Sequence, residues 1–270
     1  MVNKISITYT MIENFLIVFL VILLLQVVFF VYAVINKTDK VTDLSYGLTF
    51  IIASVASLIL GYESISIFKW LLFALVSVWG IRLSTYLFIR ILRTGKDKRF
   101  DGIREDPLKF ASFWVLQALS IFIILLPTTY ILLLPVKMGM NVISYVGFLI
   151  AIFGLLIESI ADMQKFVFKS KEENKGRWIQ SGLWKYSRHP NYLGEILMWL
   201  GVFVFSLMYL NDWGIFTFLS PLYITILLLF VSGIPKLEKE YENRYKGNLE
   251  YERYVKNTGV LLPKIFVKKN

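Results

Sequence analysis

One apolar segment near the amino end constrains the fold more than any other feature of the sequence. It runs from Phe15 to Ile35 and contains Gln26 as its only strongly polar side chain. A helix of about 20 such residues crosses the roughly 30 Å hydrocarbon core of a bilayer. The segment is longer than the apolar core of a signal peptide, and no small-residue cleavage site follows it, so we expect a retained membrane span.

Six further apolar segments follow and predict an all-α, polytopic membrane helical bundle with about seven transmembrane helices. The chain is 57% hydrophobic and 18% charged, which lies outside the usual range of a soluble domain. The second segment is short and Arg82 interrupts the third, so six or eight spans remain alternatives. The six segments are Leu44–Leu60, Trp70–Ile89, Ala111–Pro135, Val142–Ile160, Tyr192–Leu210 and Ile215–Ile234.

The distribution of charge predicts the orientation. Most of the 29 lysines and arginines lie in alternate loops and after residue 235, and such loops are normally cytosolic. We therefore expect an outside N-terminus and a cytosolic C-terminus. A single membrane domain over residues 1–270 would comprise a tail (1–13), the bundle (14–234) and a cytosolic tail (235–270). A bacterial inner membrane and the endoplasmic reticulum both fit.

Composition also limits the chemistry. The net charge of +10 is explained by topology and by contact with anionic headgroups, so we expect no nucleic-acid partner. The chain has no cysteine and one histidine. Disulfides, thiolate metal sites and a cysteine nucleophile are thereby excluded, and we expect no metal site.

Polar residues inside the predicted spans indicate a site, because ionisable groups at membrane depth normally face a cavity or the bundle interior. They form helical stripes that point toward the same predicted cytosolic end. Snorkelling explains the outermost cations equally well, and interhelical pairing explains Arg82, Glu158 and Glu195. The stripes are Arg82, Tyr86, Arg90 and Arg93 in the third span; Glu158, Asp162, Lys165 and Lys169 in the fifth; and Asn191 and Glu195 in the sixth.

A cavity with cations at its mouth and amide and carboxylate groups deeper inside suits a dinucleotide. The sequence contains no GxGxxG motif, so any nucleotide must be held by side chains between helices. At the start of the sixth span, Pro190 fits the first turn of a helix. His189 would then be either part of the site or a lone imidazole at the membrane interface.

The string "GLWKYSRHPNYLGEILMWLG", residues 182–201, closely resembles the signature of the steroid 5-alpha-reductase C-terminal-like membrane proteins. It matches the branch of unassigned function that carries a Thr/Ser-Arg-His-Pro-Asn-Tyr-Phe/Leu-Gly-Glu motif. "SVWGIRLSTYLFIR", "GLLIESIADMQKFVFK" and "SPLYITILLLFVSGIPKLEKEY" resemble further family blocks in the same order. The resemblance covers residues from about Asp43 to Pro263.

The resemblance implies a seven-span bundle that holds NADPH in a cytosol-facing cavity and receives a lipid or steroid-like substrate from the bilayer. Well-known members reduce a carbon–carbon double bond, so it implies a reductase of a steroid-like or other lipid enone. The oligomeric state is left open. By motif position, the implied cofactor contacts are Arg90, Arg93, Asp162, Lys169, Arg177, Trp184, Arg188, His189, Asn191, Tyr192, Glu195, Glu238, Tyr241 and Arg244.

Two departures leave alternatives open. The steroid reductases proper share "NYLGE" but lack the preceding Arg-His-Pro, and Asp43, Tyr46 and Tyr86 are the candidates for their catalytic acid role. Arg-His-Pro-x-Tyr also resembles the isoprenylcysteine carboxyl methyltransferases and phospholipid methyltransferases, which bind S-adenosylmethionine. A non-catalytic lipid-binding membrane protein is the third hypothesis.

Overall fold

The computed structural model describes residues 2–97 and 100–264, with the backbone alone for residues 2–8 and 212. These residues are largely helical and contain no β-strand, apart from one parallel bridge between Ser187 and Gly259. The prediction of an all-α fold is confirmed. The helices are α1 (Val2–Ile35), α2 (Thr42–Leu60), α3 (Ile67–Thr94), α4 (Pro107–Leu133), α5 (Val142–Ser170), α6 (Pro190–Ser206), α7 (Leu219–Ile226), α8 (Ile234–Arg244) and α9 (Leu249–Asn257).

Seven helical segments of the described chain are long and apolar enough to cross a membrane, so the expected number of spans is confirmed. The seventh, Trp213–Arg244, is composite. It contains α7, a π-helical turn at Leu227–Val231, and α8. Because π turns change the direction in which the following side chains point, they commonly occur near functional sites. The seven spans make this a multi-pass integral membrane protein.

Several helices extend beyond the predicted apolar segments. Helix α1 begins at Val2, inside the predicted tail, and α3 continues to Thr94. Helix α5 continues to Ser170, ten residues beyond Ile160. Hydropathy marks the part of a helix that lies in hydrocarbon, whereas backbone hydrogen bonding continues through the polar turns at its ends. The expected start of α6 at Pro190 is confirmed.

The described residues form two compact units. The first comprises the chain up to Val146 together with Val202–Ser220, and the second comprises Gly147–Gly201 together with the chain from Pro221. No change in composition along the sequence marks this division. Each unit has its own close helix contacts.

In the first unit, α2 and α3 approach each other at glycine. A Cβ atom at Gly47 would lie 2.0 Å from Ser84 Oγ and 2.7 Å from the Gly80 carbonyl oxygen. A buried amide network also connects α1, α2 and α4. The Gln117 amide donates to Gln26 (2.8 Å), and the Gln26 amide donates to Thr49 (2.8 Å). Small residues and side-chain amides are the usual contacts between helices in lipid.

A lysine stabilises one end of the first unit. Lys69 is completely buried, and its ammonium donates to Ser64 Oγ (2.7 Å) and to the carbonyl oxygens of Leu132 and Leu134 (both 2.8 Å). All three ammonium protons therefore have acceptors. The carbonyls belong to the C-terminal end of α4, where the helix dipole favours a cation.

In the second unit, α5 and α6 pack almost backbone to backbone. A Cβ atom at Gly154 would lie 2.4 Å from the Met198 nitrogen, and one at Gly201 would lie 2.3 Å from the Ala151 nitrogen. These distances are too short for any side chain. The crossing therefore depends on glycine, and it fixes the polar residues of the two helices relative to each other.

Candidate functional site

The polar stripes of α5 and α6 meet inside the second unit. A Cβ atom at Gly194 would lie 2.5 Å from the Glu158 nitrogen, so the first turns of α6 run directly along this part of α5. Glu158 and Asp162 are buried, with 2% and 6% of their surfaces exposed. Asn191 and Glu195 are half-buried one turn apart on α6. The two stripes thus lie on helices in close backbone contact, and their convergence on one cavity stays a prediction.

One carboxylate organises the entry to α6. Glu238 of α8 accepts from His189 Nε2 through Oε1 at 2.6 Å, and its Oε2 pairs with Arg188 Nη1. The His189 side chain is 2% exposed and that of Arg188 is 12% exposed. The Arg-His pair before Pro190 is therefore bound to the seventh span, and His189 is not a lone imidazole at the interface.

Burial determines the charge of His189. It lowers the pKa of the imidazole below its ordinary value of 6.5, and the Glu238 contact opposes this shift only in part. The ring is therefore neutral at pH 7. Because Glu238 accepts the bond from Nε2, the proton of the neutral ring lies on Nε2 and Nδ1 is the acceptor. The Tyr192 ring lies parallel to it, with the ring centroids 5.6 Å apart.

The C-terminal segment runs along the residues that precede α6. The Arg188 nitrogen donates to the Gly259 oxygen (2.9 Å) and the His189 nitrogen to the Val260 oxygen (3.1 Å). Tyr254 donates its hydroxyl proton to the Trp184 carbonyl at 2.8 Å. The tail thus holds the Arg-His-Pro segment in place.

An aromatic cluster fills the space between this loop and the tail. The Trp178 ring centroid lies 5.1 Å from that of Tyr245 and 5.2 Å from that of Tyr251. Burial raises the pKa of Tyr251 to about 12, so this phenol stays protonated at neutral pH. A cavity of about 20 Å³ remains, with room for about one water molecule. It is lined by Trp178, Ile179, Trp184, Arg188, Glu238, Tyr241, Tyr251 and Tyr254.

Trp184 connects the loop to α5. Its indole nitrogen donates to the Ala161 carbonyl at 3.0 Å. The Lys165 ammonium lies 4.7 Å from the centroid of the Trp184 ring and 6.0 Å from that of Tyr241, within the range of cation–π attraction. Trp184 thus has a structural role in addition to any contact with a cofactor.

Cations from three elements lie near one another at this end of the second unit. Lys169 of α5 is within electrostatic reach of Lys165 and of Arg244 on α8. His189 is within electrostatic reach of Lys165 and Arg188. Arg244 also pairs with Glu240 at 2.5 Å. Such a group of cations attracts a multiply charged anion.

The remaining predicted residues divide between the two units. Asp43, Tyr46, Tyr86, Arg90 and Arg93 belong to the first unit. There, Asp43 accepts from Arg90 at 3.1 Å, so a predicted catalytic residue and a predicted cofactor residue are partners of each other. The other cofactor candidates belong to the second unit, among which Arg177 is an exposed loop residue.

The sequence interpretation missed the aromatic cluster. Trp178, Tyr251 and Tyr254 were not among its site residues, although they lie against Arg188 and Glu238. The interleaving of tyrosines with charges in the tail was the available signal for Tyr251 and Tyr254, and it was not used. That pattern fits a helix on a membrane surface equally well, and only the fold shows that the tyrosines cover the loop.

Among the described residues, no group of three or more histidine, aspartate or glutamate side chains could hold a metal ion. The arrangement consists of donors for anions, half-buried amide and carboxylate groups, and stacking surfaces. It can bind and orient a charged, aromatic small molecule.

Comparison with known proteins identifies the family. An uncharacterized protein of Schizosaccharomyces pombe is 26% identical over 208 residues, which cover 66% of this chain and 57% of that protein. The chain thus spans little more than half the length of this curated relative. No solved structure matches. A family model described as "Protein of unknown function (DUF1295)" matches residues 29–258, and the chain therefore belongs to this steroid 5-alpha-reductase-like membrane family.

Proposed function

We propose that this protein is an NADPH-dependent membrane reductase that acts on a carbon–carbon double bond of a steroid-like or other lipid enone. The observation that carries the proposal is the group of cations formed by Lys165, Lys169, Arg188 and Arg244 in the second unit. The same unit contains the half-buried amide of Asn191 and the half-buried carboxylate of Glu195 on α6. NADPH carries phosphates for the cations, and amide and hydroxyl groups for Asn191 and Glu195.

Two buried donors of the unit have no partner among the described residues, but the cavity beside them does not fit a nucleotide. Within the described chain, Arg188 Nε and Trp178 Nε1 are buried and have no hydrogen-bond partner. Unsatisfied buried donors are costly and call for an acceptor. The cavity between them, about 20 Å³, is far too small for a nucleotide, since cofactor sites span about 300–1,000 Å³. Lys165, Lys169 and Arg244 are therefore the proposed phosphate ligands.

The proposed reaction is a hydride reduction. NADPH held there would supply a hydride for the β-carbon of the enone, and water or an acidic side chain would supply the proton for the α-carbon, which gives the saturated lipid and NADP⁺. Asn191 and Glu195 orient the cofactor amide and hydroxyl groups. Neutral His189, held by Glu238, keeps this end of α6 in position. An acid that stabilises the developing oxyanion lowers the barrier.

The candidates for this acid remain Asp43, Tyr46 and Tyr86. Asp43 accepts a hydrogen bond from Arg90 in the structure. The hydroxyl groups of Tyr46 and Tyr86 are hydrogen-bond donors by chemical type. Their role in protonation stays a prediction.

Thermal unfolding of the detergent-solubilised full chain tests the proposal. We expect NADPH to raise the melting temperature by several degrees, since a ligand at 100 times its Kd adds about 2.7 kcal/mol to the free energy of unfolding. NADH should do so less, because it lacks the 2′-phosphate. Lys169→Ala and Glu195→Gln should weaken the shift about tenfold in NADPH concentration. Lys175→Ala, an exposed lysine of the following loop, is the control and should leave it unchanged.

Methyl transfer from S-adenosylmethionine is the second candidate. The Lys165 ammonium over Trp184 and Tyr241 shows that these rings accept a cation, and the cofactor's sulfonium is one. The cation group argues against S-adenosylmethionine as the ligand, because this cofactor carries no phosphate that the cations could bind. Stabilisation by S-adenosylmethionine without any by NADPH would replace the reductase proposal. Stabilisation by neither would favour the non-catalytic lipid-binding protein.

A further inference from the structure

A groove on the outer face of α5 has no role in the proposed reaction. It has a volume of about 350 Å³ and lies between the last turns of α5 and the loop that follows, within the second unit. Met163 and Val167 of α5 and Lys171, the first residue after its end, recur every four positions. By helical geometry they lie about 100–180° around the axis from Asp162 and Lys169. The groove is therefore on the side of the helix opposite to the cation group.

The inner part of the groove is apolar and belongs to the membrane span. Met163 and Val167 are 60% and 47% exposed, and both lie inside the span Val142–Ser170. Phe168 also lines this part. Exposed apolar side chains within a span are in contact with hydrocarbon, so this part of the groove suits an acyl chain.

The outer part of the groove is polar and cationic. Lys171 is the first residue after the span, at the level where lipid headgroups lie. Gln164 and Ser181 also line the groove, where the loop meets α5. Their amide nitrogen and hydroxyl make no hydrogen bond within the described chain, whereas Lys171 makes only an exposed contact of 3.6 Å with Glu173. Three donors are thus available to an anionic oxygen.

The groove is held in shape by the loop. The Gln164 Oε1 atom accepts from the Leu183 nitrogen at 3.0 Å, and the Asn174 amide donates to the Phe168 carbonyl at 2.9 Å. Gly182 has a φ of +59°, and a Cβ atom there would lie 2.4 Å from the Gln164 amide nitrogen. The loop therefore approaches α5 closely at a position that favours glycine.

The charge of the surrounding segment selects among lipids. Between residues 169 and 185, five basic side chains accompany two glutamates. Basic residues next to a span favour anionic headgroups. We infer that the groove is a binding site for one anionic phospholipid, with its phosphate at Lys171, Gln164 and Ser181 and an acyl chain along Met163, Val167 and Phe168.

The test is native mass spectrometry of the full chain, released from nanodiscs that contain equal amounts of phosphatidylglycerol and phosphatidylcholine with identical acyl chains. We expect retention of one phosphatidylglycerol. Lys171→Glu should reduce this preference at least about fivefold, the factor for one basic residue near anionic headgroups. Lys175→Glu makes the same charge change in the same loop but outside the groove, and should retain the preference.

Two further measurements distinguish a groove that binds a whole lipid from a charged surface that only attracts anionic headgroups. Val167→Trp, at an exposed position, fills the apolar part and should reduce the retention of both lipids. Glycerol 3-phosphate, which lacks acyl chains, should not displace the bound lipid. Equal retention of both lipids by the unmodified chain would overturn the inference. So would an equal loss of preference in the Lys171→Glu and Lys175→Glu variants, or displacement by glycerol 3-phosphate.

Discussion

At the scale of single residues, Glu238 connects the Arg-His-Pro segment to the seventh span. It accepts from both Arg188 and His189, and it is only 19% exposed. Removing one partner of a largely buried, charge-assisted contact leaves the other groups desolvated and unpaired. The stability of the second unit should therefore depend on this side chain more than on other acids of α8.

We expect Glu238→Ala to reduce the free energy of unfolding by about 2–3 kcal/mol. Glu240→Ala is the control, because Glu240 makes an exposed pair with Arg244 one turn away, worth about 0.3–0.5 kcal/mol. Urea unfolding in detergent measures both. Equal losses in the two variants would show that the Glu238 contacts stabilise the fold no more than an exposed ion pair does.

His189 makes stability depend on pH. Its pKa is below 6.5 in the folded protein, so the unfolded chain takes up the proton first as the pH falls. The contribution of the neutral ring is complete above about pH 6.5 and is lost as the pH falls toward the folded pKa. Since this is the only histidine, His189→Asn should remove the pH dependence between about pH 5.5 and 7. NMR titration of the single imidazole measures the pKa of His189 directly. A titration midpoint above pH 6.5 would contradict the prediction that burial lowers this pKa.

Some residues of the candidate site were predictable from the sequence, and others were not. Pro190, Asn191 and Glu195 were predictable because a proline marks the helix start and the 3.6-residue period places the other two on one face. The partner of His189 was not predictable, because the contact with Glu238 joins residues 49 positions apart. Nothing local in either segment specifies that pairing.

At the scale of helices, glycine sets the geometry of the site. Gly194 lies against the backbone of Glu158, so the turns of α6 that carry Asn191 and Glu195 run along this part of α5. Hydropathy predicts that both helices exist, but it does not predict which faces touch. The glycines of α5 and α6 were a usable signal, since small residues mark close helix contacts in membranes.

Gly194→Ala tests this packing. Alanine is favoured over glycine in a helix by up to about 1 kcal/mol, so without a close contact the variant would be stabilised. A Cβ atom 2.5 Å from the Glu158 nitrogen instead predicts overpacking at a cost of about 1–3 kcal/mol. We expect lower stability and weaker NADPH binding. Gly139→Ala, where no atom lies within 4 Å, should change neither, and a stabilised Gly194→Ala variant would contradict the packing argument.

At the scale of the whole molecule, the seven spans were predictable because a helix of about twenty apolar residues matches the thickness of the hydrocarbon core. The division into two units was not, because it follows from contacts between distant segments of the chain. The expected orientation, with the N-terminus outside and the C-terminus cytosolic, stays a prediction from the loop charges.

The absence of cysteine makes this orientation testable with single introduced thiols. Glu63, exposed between α2 and α3, and Lys175, exposed after α5, are predicted to lie on opposite sides of the membrane. In intact cells, a membrane-impermeant maleimide should label Glu63→Cys, while Lys175→Cys should require permeabilised cells. The reverse pattern would invert the topology.

The central claim is that the second unit binds NADPH. Isothermal titration of the purified full chain with NADPH and, in parallel, with S-adenosylmethionine tests it most directly. We predict saturable binding of NADPH at a ratio of one per chain, weakened about tenfold or more in Glu195→Gln, and no heat of binding for S-adenosylmethionine. Saturable binding of S-adenosylmethionine with none of NADPH, or NADPH binding that Glu195→Gln leaves unchanged, would contradict the claim.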